Sequence, residues 1–107
     1  EFILYAVKDS HNINWPRPTN VLRYQRVNAQ KLVHPYEKPV QLIQKLIQVS
    51  TQPSDLILDP FIGSGTTAIA ARKLGRHYIG CDLSPEYVEI ANKRLAQDYM
   101  LPLFKEE

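Results

Sequence analysis

Apolar and polar positions follow different periods along this chain, and each period predicts a different element. Val40, Ile43, Leu46 and Ile47 recur at helical spacing, with Gln44, Lys45 and Gln48 on the opposite face and Pro39 at the entry. That pattern predicts an amphipathic helix opened by proline, whose missing N–H is an orphan in a first turn anyway. Ser50-Thr51-Gln52-Pro53 stops it. Leu56-Ile57-Leu58 is a short apolar run ending at Asp59-Pro60, and Tyr78-Ile79-Gly80-Cys81 is another ending at Asp82. Runs of that length, bounded by turn residues, predict strands. Between them, Gly63-Ser64-Gly65 predicts a tight turn. Thr66 to Leu74 predicts a helix closed by Gly75, whose Ala68, Ala70 and Ala71 allow close packing on a sheet. Ser84-Pro85-Glu86 is a strong helix start: serine as N-cap, proline at the first position, an acid in the first turn. Tyr87, Val88, Ala91 and Leu95 supply that helix's apolar face, and past Gln97 the chain reads as a tail.

Two further segments lie upstream. Phe2 to Val7 is apolar, β-branched and aromatic, which predicts a buried strand. Residues 9–37 hold Pro16, Pro18 and Pro35 without clear periodicity and predict a long loop. A loop of that length in a compact domain is usually functional or mobile. From 55 to 97 the order is strand, glycine turn, helix, strand, helix. Two strands joined by a helix make a parallel unit, so the predicted fold is α/β and Rossmann-like.

Composition adjusts this picture little. At 107 residues and 44% hydrophobic content, the chain can build one small core. No apolar run approaches the roughly 20 residues of a membrane span. With no secretory signal read either, the expected location is cytoplasmic, with no membrane partner. The chain starts at Glu1 rather than Met, which raises the expectation of a fragment. Cys81 is the single cysteine, expected to be a small buried hydrophobe. His11, His34 and His77 have no metal-ligand spacing, so no metal is expected. Ser64 and Ser84 have no neighbouring base that would make a nucleophile.

Charge is uneven. Residues 8–31 carry Lys8, Arg17, Arg23, Arg26 and Lys31 against Asp9, a net of +4 in a chain whose total is +2. Trp15 and Tyr24 are interleaved with these bases. Such a mixture suits phosphate contact and base stacking, and it also suits an ordinary solvated loop.

The chemistry concentrates between 59 and 82. Asp59-Pro60-Phe61-Ile62-Gly63-Ser64-Gly65-Thr66-Thr67 lies where a strand gives way to a helix, the place where open α/β sheets bind ligands. Glycine lets a ligand approach the backbone, and the amides of a helix start favour an anionic group. Asp82 follows Gly63 by 19 residues, at the end of the next strand. An acid there either accepts hydrogen bonds from ribose hydroxyls or serves the helix that follows it. Turn and acid together point to a bound nucleoside. Ala68 stands where a dinucleotide fingerprint has its third glycine, which counts against a nicotinamide-dependent oxidoreductase.

Asp-Pro-Phe-x-Gly-Ser-Gly-Thr-Thr resembles the first motif of the S-adenosylmethionine-dependent DNA methyltransferases that modify exocyclic amines, adenine N6 or cytosine N4. His34-Pro35-Tyr36-Glu37-Lys38-Pro39 resembles the family's His-Pro-x-x-Lys-Pro segment, and Gly80 to Tyr87 its second-strand acidic motif. Ile90-Ala91-Asn92-Lys93-Arg94-Leu95 is similar to its last helix, and Phe2 to Lys8 to the strand before its recognition region. The resemblance implies a partial Rossmann-like S-adenosylmethionine-dependent methyltransferase fold. It divides the chain into a sheet strand at 1–8, a basic remnant of the target-recognition region at 9–33, a cofactor-binding subdomain at 34–98 and a tail at 99–107. It implies cofactor contacts at Lys38, Pro39, Asp59, Pro60, Phe61, Gly63, Ser64, Gly65, Thr66, Asp82 and Leu83, and DNA contacts at Arg17, Arg23 and Arg26.

The motif order matches the permuted, or beta, subgroup, in which the catalytic half comes first. The family's catalytic loop, Asp/Asn/Ser-Pro-Pro-aromatic, has no counterpart here, since no two prolines are adjacent. The implied function is therefore the cofactor-binding portion of a DNA methyltransferase, with no catalytic residue of its own and inactive alone. The implied partners are double-stranded DNA and the N-terminal catalytic half, with a homo-oligomer as a further option. The alternative is a non-catalytic module, derived from such an enzyme, that binds DNA or cofactor.

Overall fold

The computed structural model describes residues 2–19, 21–28 and 38–105 of the chain, with side chains as far as Gln97. Its elements run α1 (Val40–Ser50), β1 (Leu56–Asp59), α2 (Thr66–Lys73), β2 (His77–Gly80) and α3 (Pro85–Lys105). The strands pair in parallel, Leu56 with His77 through Asp59 with Gly80. This is the α/β strand-helix-strand unit expected from the sequence.

The core lies on one face of that two-stranded sheet. Ile47 of α1 packs with Ala70 and Ala71 of α2, joined by Val40, Ile43, Ile57, Leu74 and Tyr78. Ala70 and Ala71 are completely buried because, with only a methyl group each, they leave room for α1 and the sheet to close on α2. Side chains alternate along a strand. Ile57 and its register partner Tyr78 therefore face the helices, whereas Leu56, Leu58 and Ile79 face away and stay 63%, 65% and 51% exposed. Among the described residues nothing covers that second face. Cys81, two residues beyond Ile79, falls on the same side and is exposed, not the buried hydrophobe the sequence suggested.

Helix ends follow their sequence signals. Pro39 caps α1, its carbonyl accepting from Leu42 and Ile43. Gly75 ends α2 at φ +72°, and the chain reverses there. The Gly75 N–H donates to the Arg72 carbonyl and the Arg76 N–H to the Ala71 carbonyl, so the carbonyls of the last helical turn have partners. The Ser84 hydroxyl accepts from the Tyr87 N–H at 3.3 Å, as an N-cap does.

Three expectations change. Residues 2–7 form no strand, and Phe2 and Leu4 are fully exposed. A strand persists only where a neighbour satisfies its backbone ladder, and the sheet consists of β1 and β2 alone among the described residues. The second strand spans 77–80, one residue earlier than the apolar run suggested. The last helix continues past Gln97 to Lys105, through the helix formers Gln97, Met100 and Leu101, and it includes Pro102, which has no N–H for the helical ladder.

The described part of the 9–28 segment is irregular but tethered. The Asn14 amide donates to the carbonyls of Gln48 (2.9 Å) and Thr51 (2.7 Å), and its backbone N–H donates to the Val49 carbonyl at 2.7 Å. Gln52 donates back to the Asn14 side-chain oxygen at 2.8 Å. Arg76 closes the same node by donating to the hydroxyl and carbonyl of Thr51. Asn14 thus occupies the last carbonyls of α1, which helical geometry leaves without partners.

Candidate functional site

The C-terminal ends of β1 and β2 lie side by side, and each ends at or just before an aspartate. Both carboxylates turn onto the 60–67 segment. Asp59 accepts the Phe61 N–H at 3.0 Å through one oxygen and the Thr67 hydroxyl at 2.6 Å through the other. It thereby ties the start of the turn to the first turn of α2. Asp82 accepts the Gly63 N–H at 2.9 Å and the Ser84 N–H at 2.9 Å. One carboxylate therefore joins the glycine turn to the entry of α3. Of the two roles the sequence left open for Asp82, the helix-serving one is visible here, and it operates together with the grip on the turn.

The turn is held from below as well. Gly65 lies at φ +91°, and a Cβ there would stand 2.9 Å from the Ala91 Cβ of α3. Glycine is required on both counts, since the backbone is left-handed and the neighbouring helix leaves no room. The Gly65 N–H donates to the Ile62 carbonyl at 3.0 Å, and the Ile62 N–H to the Cys81 carbonyl at 2.9 Å. Gly63, Ser64, Gly65 and Thr66 are all buried. With these four buried, the flanks are the exposed part of the loop. Those flanks are Phe61, 86% exposed, and Leu83, fully exposed, each one residue or two beyond an aspartate.

The expected site residues therefore divide. Asp59, Phe61, Gly63, Ser64, Gly65, Thr66, Asp82 and Leu83 are brought together at one sheet end, with Pro60 exposed beside them. Lys38 and Pro39, both half-buried, stand at the entry to α1 rather than in the turn. The His34 to Glu37 portion of their motif lies outside the described residues. Arg17, Arg23 and Arg26 are exposed on the irregular segment, which also carries Trp15, 84% exposed. An open depression of 490 Å³ lies elsewhere, lined by residues 5–8, 10, 11 and Ser50 and by no residue of the turn. Among the described residues no group of three or more His, Cys, Asp or Glu side chains could hold a metal ion. No described helix is long and apolar enough to cross a membrane.

Two participants carry no role in the sequence reading. Thr67 stands at the end of the glycine motif, and its hydroxyl is an Asp59 partner. Arg94 belongs to the last helix and reaches Ser64 and Thr66 across 30 and 28 residues of chain. The first could have been found from the habit of hydroxyl side chains to bond locally at helix starts. The second depends on how α3 packs.

Residues 5–93 match the model of a family described as DNA methylase, one named for N6 and N4 methyltransferases. The chain is 53% identical over 75 residues to the Type II methyltransferase M1.MboII of Moraxella bovis, covering 68% of this chain and 29% of that protein. It thus spans less than a third of that relative. Its fold is similar to that in the M1.HpyAVI–SAM complex, with TM-score 0.68 and 39% identity over 78% of this chain and 43% of the other. It is also similar to the cytosine-N4-specific PvuII DNA methyltransferase, with TM-score 0.63 and 29% identity over 70% of this chain and 30% of that one.

Proposed function

This chain belongs to the DNA methylase family, and from that membership we propose that it is the S-adenosylmethionine-binding portion of a DNA methyltransferase. The observation that carries the proposal is the glycine turn clamped by two strand-end carboxylates, Asp59 and Asp82, with exposed Phe61 and Leu83 beside it. These residues suit the cofactor chemically. A backbone without a side chain at Gly63 permits close approach, and the amides at the start of α2 favour a carboxylate such as that of the methionine moiety. The Asp82 carboxylate has remaining lone pairs for ribose hydroxyls. Phe61 and Leu83 offer apolar surface to a purine ring, and Lys38-Pro39 would serve the methionine end. When bound, S-adenosylmethionine supplies an electrophilic methyl group on a sulfonium. The acceptor is an exocyclic amine of DNA, adenine N6 or cytosine N4.

The residues of the turn would hold a cofactor, but the sequence contains no Pro-Pro-aromatic loop with which such enzymes stack and hydrogen-bond an extruded base. We assign that work to a catalytic part preceding this portion in a permuted order. The relative M1.MboII is longer than the matched segment by a wide margin, which supports this division. The face formed by Leu56, Leu58 and Ile79, beside the edge of β1 that is bare among the described residues, is then where that part packs. The purified chain alone is expected to transfer no labelled methyl group to DNA, and to self-associate through that face in light scattering. Transfer above background, or a stable monomer at high concentration, counts against the assignment.

Residues 9–33 serve as the basic contribution to DNA contact. Arg17, Arg23 and Arg26 are exposed, and Asn14 fixes their segment to the end of α1. Neutralising all three in the intact enzyme should flatten the slope of log affinity against log salt by roughly 2–3, nearly one for each phosphate that is no longer neutralised. An unchanged slope would make the segment a linker only.

A further inference from the structure

Beneath the glycine turn, one cation bonds to three oxygens of the loop. Arg94 of α3 donates through a single terminal nitrogen to the Ser64 carbonyl at 2.9 Å and the Ser64 hydroxyl at 2.9 Å, with the Thr66 hydroxyl at 3.4 Å. Ser64 and Thr66 are 3% and 8% exposed, so these polar atoms lie out of reach of bulk water and need an internal partner. Ala91, three residues earlier on the same helix face, is the residue against which Gly65 packs. A single turn of α3 thus meets three consecutive loop residues, by packing at Gly65 and by hydrogen bonds at Ser64 and Thr66. Arg72 of α2 donates to the Leu95 carbonyl at 2.7 Å, which fixes α3 next to that contact.

We infer that Arg94 is a positioning residue for the cofactor site: it holds the 63–66 loop in its ligand-ready shape. The inference rests on the reading of that loop as the S-adenosylmethionine site. The physical reason is that the Ser64 carbonyl, occupied by Arg94, is kept on the α3 side of the loop. Left without that donor it would be a buried acceptor seeking a partner, and a rotated Ser64–Gly65 peptide would satisfy it at the expense of the turn. A loop that must be reordered on binding loses affinity by the fraction of time it spends in the wrong shape. Arg94 acts through the loop and touches no ligand itself.

The test uses the full-length enzyme, with S-adenosylmethionine as the probe, and compares R94K and R94M with the unaltered protein. R94M is expected to raise KM for S-adenosylmethionine by about tenfold or more, with KM for DNA changed less than about twofold. R94K, which keeps the charge and a donor but not the reach, should recover most of the loss. Should R94M fail to fold, R94K must by itself raise the cofactor KM by about threefold at an unchanged melting temperature. A lowered melting temperature with an unchanged cofactor KM, or an equal rise in both KM values, overturns the inference and makes Arg94 merely structural. An unaltered enzyme that does not bind S-adenosylmethionine defeats the site reading instead, so the two failures are distinguishable.

Discussion

Gly65→Ala is expected to lower the stability of the enzyme by roughly 2–5 kcal/mol and, in what remains folded, to impair the cofactor turn. Two separate penalties add. The backbone at φ +91° is one that a residue with a Cβ adopts only with strain. The added methyl would also lie 2.9 Å from the Ala91 Cβ and 3.1 Å from its Cα, and neither is the yielding end of a long side chain. Relief requires that α3 move away from α2, which would pull Arg94 off Ser64 and Thr66. Gly75→Ala is the control. It has a comparable φ of +72° but nothing within 4 Å of the new Cβ, so it carries only the backbone penalty, about 1–2 kcal/mol. Denaturant unfolding of both variants separates steric from conformational cost. Equal losses in the two would mean that the Gly65–Ala91 approach is not tight.

Asp82→Ala should weaken S-adenosylmethionine binding by roughly 1.5–3 kcal/mol, the scale for hydrogen bonds to a charged group. Part of that loss is direct, since the carboxylate is the proposed ribose acceptor. Part is indirect, since the Gly63 and Ser64 region loses the bond that fixes it to the end of β2. Asp82→Asn distinguishes the two parts. Its amide oxygen can keep the Gly63 N–H while the second bond, to the Ser84 N–H, is lost along with the charge. Calorimetry on the intact enzyme giving an unchanged affinity for Asp82→Ala would remove Asp82 from the site. An affinity restored fully by Asp82→Asn would show that its role is to shape the turn rather than to hold ribose.

Both predictions depend on α3 and on β2 as much as on the glycine turn itself, and that is where sequence and structure part. Short-range signals were legible because the physics behind them is local. Pro39 and Pro85 at helix starts, Gly75 at a helix end and Ser84 as a cap each act within one turn of backbone. The alternation of strand, turn and helix from 56 to 97 followed from the same signals, and so did the placing of Asp59 and Asp82 at neighbouring strand ends. Motif spacing carried the cofactor reading, because a nucleoside reaches from one strand end to the next.

What the sequence could not decide was every matter of neighbours. Phe2 to Val7 has the composition of a strand, but a strand needs a partner for its backbone, and none of the described residues provides one. Cys81 read as buried, yet α1 and α2 cover only one face of the sheet, and Cys81 is exposed with Leu56, Leu58 and Ile79 on the other. Asn14 closes the end of α1 from 34 and 37 residues away, and Arg94 supports the turn from 30. Between 40 and 97 the sequence by itself determined which residues form helices, strands and the glycine turn, to within a residue at β2, since those choices are settled over a few peptide units. Only the tertiary structure decided which faces are covered and which distant side chains hold the turn, because burial and long-range hydrogen bonds exist only once the elements have packed.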